Sequence, residues 1–377
     1  MARRFVALLG AVVSLLAWVL PTQPAGATTW SSRSLGHTPF TCSDTSMWVK
    51  HYVNVNTTIY AAATDKCGHY SFVTGTPTTG YHVERTPFGG YKGSGDNVDA
   101  IARDGTTTYF LRRNPEYVGR LEIWARSSTG KYTLFKLLTG YENVGENTHP
   151  DDLVVAGGHW TAAWTQLVNG KSEVFVNSTL AGHNGRAQVA TPSPASFGDW
   201  DPYVVLRTST DAEVVYRTLG SADAAALHVR HVVQGGFSAD RVLVHVTGSI
   251  VVTGRVLARN SATYFLFNDY FDSTQTHALG LISDTGSAAH SATVAKGNLY
   301  GQLAVDSVTG HLFAVTSVFQ TGTSPTLYSN ASGAWRGAAL AVGTRDVGFD
   351  ALTAYSSKVA VYYSPAGTYQ DTVYYQH

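Results

Sequence analysis

Apolar residues along this chain fall in short alternating runs, and the same phrase of runs returns along its length. Each copy opens on an Asp or Gly, continues as a short apolar strand, turns within two to four residues, and enters a second strand rich in aromatic and β-branched residues. The copies begin at Asp99, Asp152, Asp201, Asp240, Gly301 and Asp350, with steps of 53, 49, 39, 61 and 49 residues. Period-two alternation over short stretches predicts half-buried strands. A repeat near fifty residues with several such strands predicts four-stranded propeller blades, because each blade buries its faces only against its neighbours. Third and fourth strands are legible at 121–125 and 132–137, and at 173–176 after the Asn169-Gly170 turn. The segment 224–233 reads either as a short helix or as a strand leaving through Gly235-Gly236.

The copy starting at Asp350 holds only about three strands before the chain ends at His377, so a strand from the N-terminal part is expected to close the ring and cover the open sheet edge. Residues 44–83 contain strand-like runs at 48–53, 59–63 and 70–73 and form a divergent blade if the ring has seven. The expected fold is therefore all-β, a single β-propeller of about six four-stranded blades, with seven as the alternative. A two-sheet sandwich or a β-helix fits a fifty-residue period less well.

Composition agrees: charged residues make up 14% of the chain, while Gly, Thr, Ser, Val and Tyr are abundant. Residues 1–27 carry Arg3 and Arg4, an apolar run at 5–20 and the small-residue site Ala25-Gly26-Ala27, the three parts of a cleaved secretory signal. The expected organisation is a signal at 1–27, an N-terminal β segment or divergent blade at 28–96, and propeller repeats at 97–377, in a secreted protein. Losing the two arginines leaves 24 basic against 26 acidic residues, a formal charge of −2. Such scattered, balanced charge argues against nucleic acid as a partner, and no later apolar run is long enough for a membrane span. Cys42 and Cys67 are an even pair in an exported chain and predict a disulfide.

Small-residue turns with a glycine recur between third and fourth strands, at 127–132, 283–286 and 329–335. The last, Ser329-Asn330-Ala331-Ser332-Gly333-Ala334-Trp335, resembles the Asp-box repeat of the secreted sialidase-like propeller superfamily, with Ala331 where the Asp would stand. This resemblance covers roughly residues 97–377 as architecture. A sialidase, as the resemblance implies, needs three arginines to clamp a carboxylate, a Tyr nucleophile with an acidic partner, and an Asp acid/base. Arg85-Thr86-Pro87 is the nearest phrase to the segment that supplies the first arginine. No catalytic role is transferred.

The recurring Asp99, Asp152, Asp201, Asp240 and Asp350 are expected near one mouth of the central channel, where they grip a ligand or, as the plainer reading has it, accept backbone N–H bonds at turns. His149, Asp151 and Asp152, with Trp200 and Asp201 about one blade later, form a patch that combines an aromatic face with carboxylates. No His-Glu-x-x-His or related spacing supports a metal, Gly170-Lys171-Ser172 lacks the first glycine of a phosphate loop, and there is no Gly-x-Ser-x-Gly elbow. Cofactors and metals are expected to be none. Asn56, Asn177 and Asn330 begin glycosylation sequons. Together these features suggest a non-catalytic extracellular propeller that presents a surface to a glycan or protein. The alternative is a sialidase-like glycoside hydrolase working through channel-mouth carboxylates.

Overall fold

The computed structural model describes residues 29–89, 97–114, 120–138, 149–168, 171–180, 183, 187–191, 199–219, 224–247, 249–257, 261–270, 278–296, 299–318, 325–342, 348–364 and 370–376. The expected signal segment lies outside them. No described helix is long and apolar enough to cross a membrane. Every regular element among the described residues is a β-strand, and the strands form seven antiparallel sheets arranged as the blades of one propeller.

The seven innermost strands are Met47–Val55, Asn97–Asp104, His149–Ala156, Asp199–Thr208, Ser249–Leu257, Leu299–Val305 and Gly348–Tyr355. They number the blades 1 to 7. Blade 1 is complete, continuing through Thr58–Asp65, His69–Thr76 and Gly80–Gly89. Seven is thus the blade number. In blade 7, Lys358–Ser364 and Thr372–Gln376 follow the inner strand, and Trp30–Ser34 from the other end of the chain supplies the outer strand. That closing pair runs from Trp30 opposite Gln376 to Ser34 opposite Thr372, with the Trp30 ring stacked on Tyr374.

Hydrophobic cores lie between blades, which explains the density of apolar residues on both faces of the strands. Between blades 7 and 1, Met47, Val49, Ile59 and Ala61 pack on Tyr362 and Val373; between blades 2 and 3, Leu111 and Ile123 pack on Trp160 and Trp164. Small residues opposite aromatics let the wedge-shaped sheets approach. The segment Ala224–Val233 is the third strand of blade 4. Both its faces are covered by neighbouring blades, so its apolar positions run almost continuously, as in any strand buried on two sides.

Blade 4 also corrects the repeat phasing. Its outer edge is split into Gly236–Phe237, paired to Val232 and Val233, and Arg241–Thr247, paired to the Ala224–Val229 end of the same third strand. The phrase beginning at Asp240 is therefore an outer strand of blade 4, and the inner strand of blade 5 begins only at Ser249. This outer strand alternates, with Leu243 and Val246 buried and Val242 and His245 exposed, so it carries the same pattern as an inner one, which is why the steps of 39 and 61 looked irregular.

Cys42 and Cys67 form a disulfide. Asp65 anchors this loop by accepting from Thr38 Oγ1 at 2.8 Å and from the Cys67 and His69 amides at 2.9 and 3.0 Å. The bond fits an oxidising environment. Asn177 is buried and cannot receive a glycan, whereas Asn56 sits exposed at a turn.

Candidate functional site

Six of the seven inner strands shift register against their neighbour near their start. The additional residue is Lys50 in blade 1, Asp99 in blade 2, Asp151 in blade 3, Asp201 with Pro202 in blade 4, Thr253 in blade 5 and Asp350 in blade 7. Blade 6 pairs without a shift and has Gly301 at the corresponding place, where an added Cβ would lie 2.4 Å from the Val315 carbonyl oxygen. The positions 50, 99, 151, 201, 253, 301 and 350 are separated by 48 to 52 residues. A bulge breaks the alternation of the strand and re-aims one side chain. Here the bulges collect polar residues around one end of the propeller axis.

The sequence-predicted residues divide accordingly. Asp99, Asp151, Asp201 and Asp350 occupy bulges. Asp152 is one position beyond its bulge, and Asp240 lies on the outer edge of blade 4, away from the ring of inner strands. The backbones of His149, Asp151 and Trp200 belong to inner strands, while their side chains lie outside the described residues.

Asp152 is buried and holds three blades together. It accepts the Val204 amide of blade 4 at 2.5 Å and forms an ion pair with Arg255 of blade 5. The pair links blades 3 and 5 past blade 4, and the Arg255 guanidinium stands 5.4 Å from the Tyr203 ring centre. Burial lowers the Arg255 pKa to about 10. Asp201 has a left-handed backbone, φ 51°, which Asp tolerates better than most residues, and its carboxylate is 2.7 Å from Arg217. Arg217 also donates to the Ile250 carbonyl at 3.0 Å, tying blade 4 to blade 5.

Asp350 faces Asp371 through Ser364, and burial followed by the Asp371 charge pushes its pKa up to about 9. Asp371 is fully buried and accepts the Val49 amide at 2.7 Å, so blade 7 is fastened to blade 1 at the closing seam. His51, beside Lys50, is lowered to about 4, first by burial and then by the charges of Lys50 and Arg255. Tyrosine latches repeat around the axis: Tyr52 donates to the Leu352 carbonyl at 3.1 Å, and Tyr203 donates to the Val252 carbonyl at 3.0 Å.

Lys50, His51 and Arg255 were not anticipated from the sequence. Arg255 acts on His51 and Asp152 from a distant blade and fell inside the misphased copy, and Lys50, beside His51, stands where most other copies carry Asp. The plainer reading of the aspartates describes Asp152, which accepts a backbone amide, though it is also charge-paired. Arg85, the nearest match to a sialidase arginine, belongs to the outer strand of blade 1 and donates to the Pro39 carbonyl at 2.7 Å. The 329–335 turn does connect strands three and four of blade 6, with Asn330 Oδ1 accepting the Leu312 amide at 2.7 Å.

No family model matches the chain, and no curated protein matches it. Solved structures do share its architecture. Puromycin hydrolase is 13% identical with a TM-score of 0.58, over 87% of this chain and 51% of that one. The fold is a seven-bladed propeller shared with peptidases. A puromycin-hydrolysing peptidase of Mycobacterium tuberculosis gives 11% identity and a TM-score of 0.56, over 87% of this chain and 50% of that one. The β-propeller domain of the trilobed protease of Pyrococcus furiosus gives 10% and 0.51, over 87% and 94%. The chain spans about half the length of the puromycin hydrolases it matches. These likenesses correct the expected function. The expected glycan- or protein-presenting propeller and its sialidase-like alternative are corrected: the structures that share this architecture are propellers of peptidases.

Proposed function

We propose that this chain is a peptidase-related propeller module that controls the entry of short, extended peptides along its axis toward a hydrolase active site. The observation that carries this reading is the Arg255–Asp152 pair, which connects the inner strands of blades 3 and 5 past blade 4. On this reading the charge pair is the gate of the axial passage. The bulge residues Lys50, Asp99, Asp201 and Asp350 form its polar rim.

An extended peptide fits such a passage because it presents unpaired backbone donors and acceptors to a polar rim, whereas a folded domain is too wide to enter. The chain carries no Gly-x-Ser-x-Gly elbow, the usual setting of a hydrolase serine, and on this reading the peptide bond is cut by a separate catalytic domain. The disulfide supports a module that works in an oxidising compartment after export. The test is calorimetric titration with unstructured peptides and with a folded domain of similar charge. Binding of the peptides alone supports the reading, and binding of neither or of both defeats it.

A further inference from the structure

Blade 4 carries a second chemical arrangement, remote in design from the axial gate. Thr218 belongs to its second strand, Asp211–Leu219, and His228 to its third, Ala224–Val233. Asp240 stands at the break between the two pieces of the outer edge. Among the described residues, this is the one blade whose outer edge is divided in this way. The break turns Asp240 back across the sheet. Its Oδ2 is 2.7 Å from His228 Nδ1, and His228 Nε2 is 3.0 Å from Thr218 Oγ1.

The chemistry of this line follows from the donors it contains. An ionised carboxylate only accepts, so the imidazole proton sits on Nδ1, and Nε2 is left with a lone pair facing the threonine hydroxyl. Tyr216 fixes the other two groups: its hydroxyl donates to Asp240 Oδ1 at 2.7 Å, and its ring stacks on His228 with centroids 5.5 Å apart and planes 8° from parallel. Hydroxyl, imidazole and carboxylate thus stand in the order nucleophile, base and orienting group. His228 and Asp240 side chains are 16% and 25% exposed, and Thr218 is partly exposed, so small reagents reach the site.

We propose that Thr218, His228 and Asp240 form a nucleophile triad that takes an acyl group from a small ester. The Thr218 oxygen adds to the ester carbonyl carbon while His228 Nε2 accepts the hydroxyl proton. The carbon–oxygen bond to the alcohol then breaks, and His228 returns the proton to the departing alkoxide. The products are an acyl-threonine and a free alcohol. Water, activated by the same imidazole, releases the carboxylic acid and restores Thr218. His228 and Thr218 are the catalytic residues, and Asp240 is a positioning residue that acts through the imidazole.

The experiment incubates the whole protein with p-nitrophenyl acetate and locates the acetyl group by peptide mass spectrometry, with release of p-nitrophenol followed across pH. Acetylation at Thr218 is expected, retained in Thr218→Ser and lost in Thr218→Ala. Asp240→Asn is expected to slow the reaction on the order of a hundredfold or more, because the imidazole loses its fixed tautomer. His228→Gln is expected to remove the rise in rate with pH. Thermal melts identify variants that fail to fold, and the Thr218→Ser protein keeps the comparison informative if Thr218→Ala is one of them. Acetyl groups found only elsewhere on the chain, or an unchanged rate in folded Asp240→Asn, would overturn the triad.

Discussion

Ser364 Oγ lies 2.5 Å from Asp371 Oδ1 and 3.2 Å from Asp350 Oδ2, between a fully buried and a half-buried carboxyl group. A serine hydroxyl has one proton, so it donates to one carboxylate and must accept from the other. Burial raises both carboxyls, but the Val49 amide and Ser364 favour the charged form of Asp371, and Asp350, pushed up to about 9, is the one that carries a proton.

The pH dependence follows from that assignment. The folded-state pKa of Asp350 is above its ordinary 3.8, so its contribution to stability is fully present below about pH 4 and is lost as pH rises through about 9. Asp350→Asn keeps a donor to Ser364 and removes the titration. Thermal melts are expected to show the variant more stable than the parent at about pH 8, with the gap closing toward about pH 4.

His51 behaves in the opposite sense. Its folded pKa of about 4 is below the ordinary 6.5, so the stability it contributes is present above the unfolded value and lost as pH falls through about 4. His51→Gln is expected to flatten the acid limb between those two values. Lys50→Gln is expected to shorten the limb by raising its lower end toward the ordinary value, because one of the charges depressing the imidazole is gone. Denaturant midpoints measured across this range check both.

Removing the disulfide tests the loop that packs against blade 1. Replacing Cys42 and Cys67 together by alanine is expected to cost about 2–4 kcal/mol of stability by freeing the unfolded chain. Urea unfolding of the double variant against the oxidised parent measures it.

The closing strand gives a prediction about association. Without Trp30–Ser34, the strand Thr372–Gln376 loses its partner and presents an open row of amide and carbonyl groups. A chain starting after Ser34 is expected to self-associate in sedimentation velocity, whereas the closed ring does not present that edge.

The repeat was legible in the sequence because every blade solves the same burial problem, and closure by an N-terminal strand followed from the short last copy. The seventh blade was harder to see because Lys50 replaces the Asp that opens most other inner strands. Asp240 was misread because the outer edge of blade 4 is as apolar as an inner strand; its partners Tyr216 and His228 become visible only when three strands are paired. The Arg255–Asp152 pair had no local signal, since it joins residues 103 apart through the curvature of the ring.

The gate is tested most directly by the association rate of a short unstructured peptide with the parent protein and with the double variant Asp152→Asn, Arg255→Gln. The neutral pair removes the ion pair without leaving a lone buried charge. The account predicts that peptide association speeds up on the order of tenfold or more, with a folded domain still excluded. An unchanged or slower peptide association in a variant that melts as the parent does would contradict it.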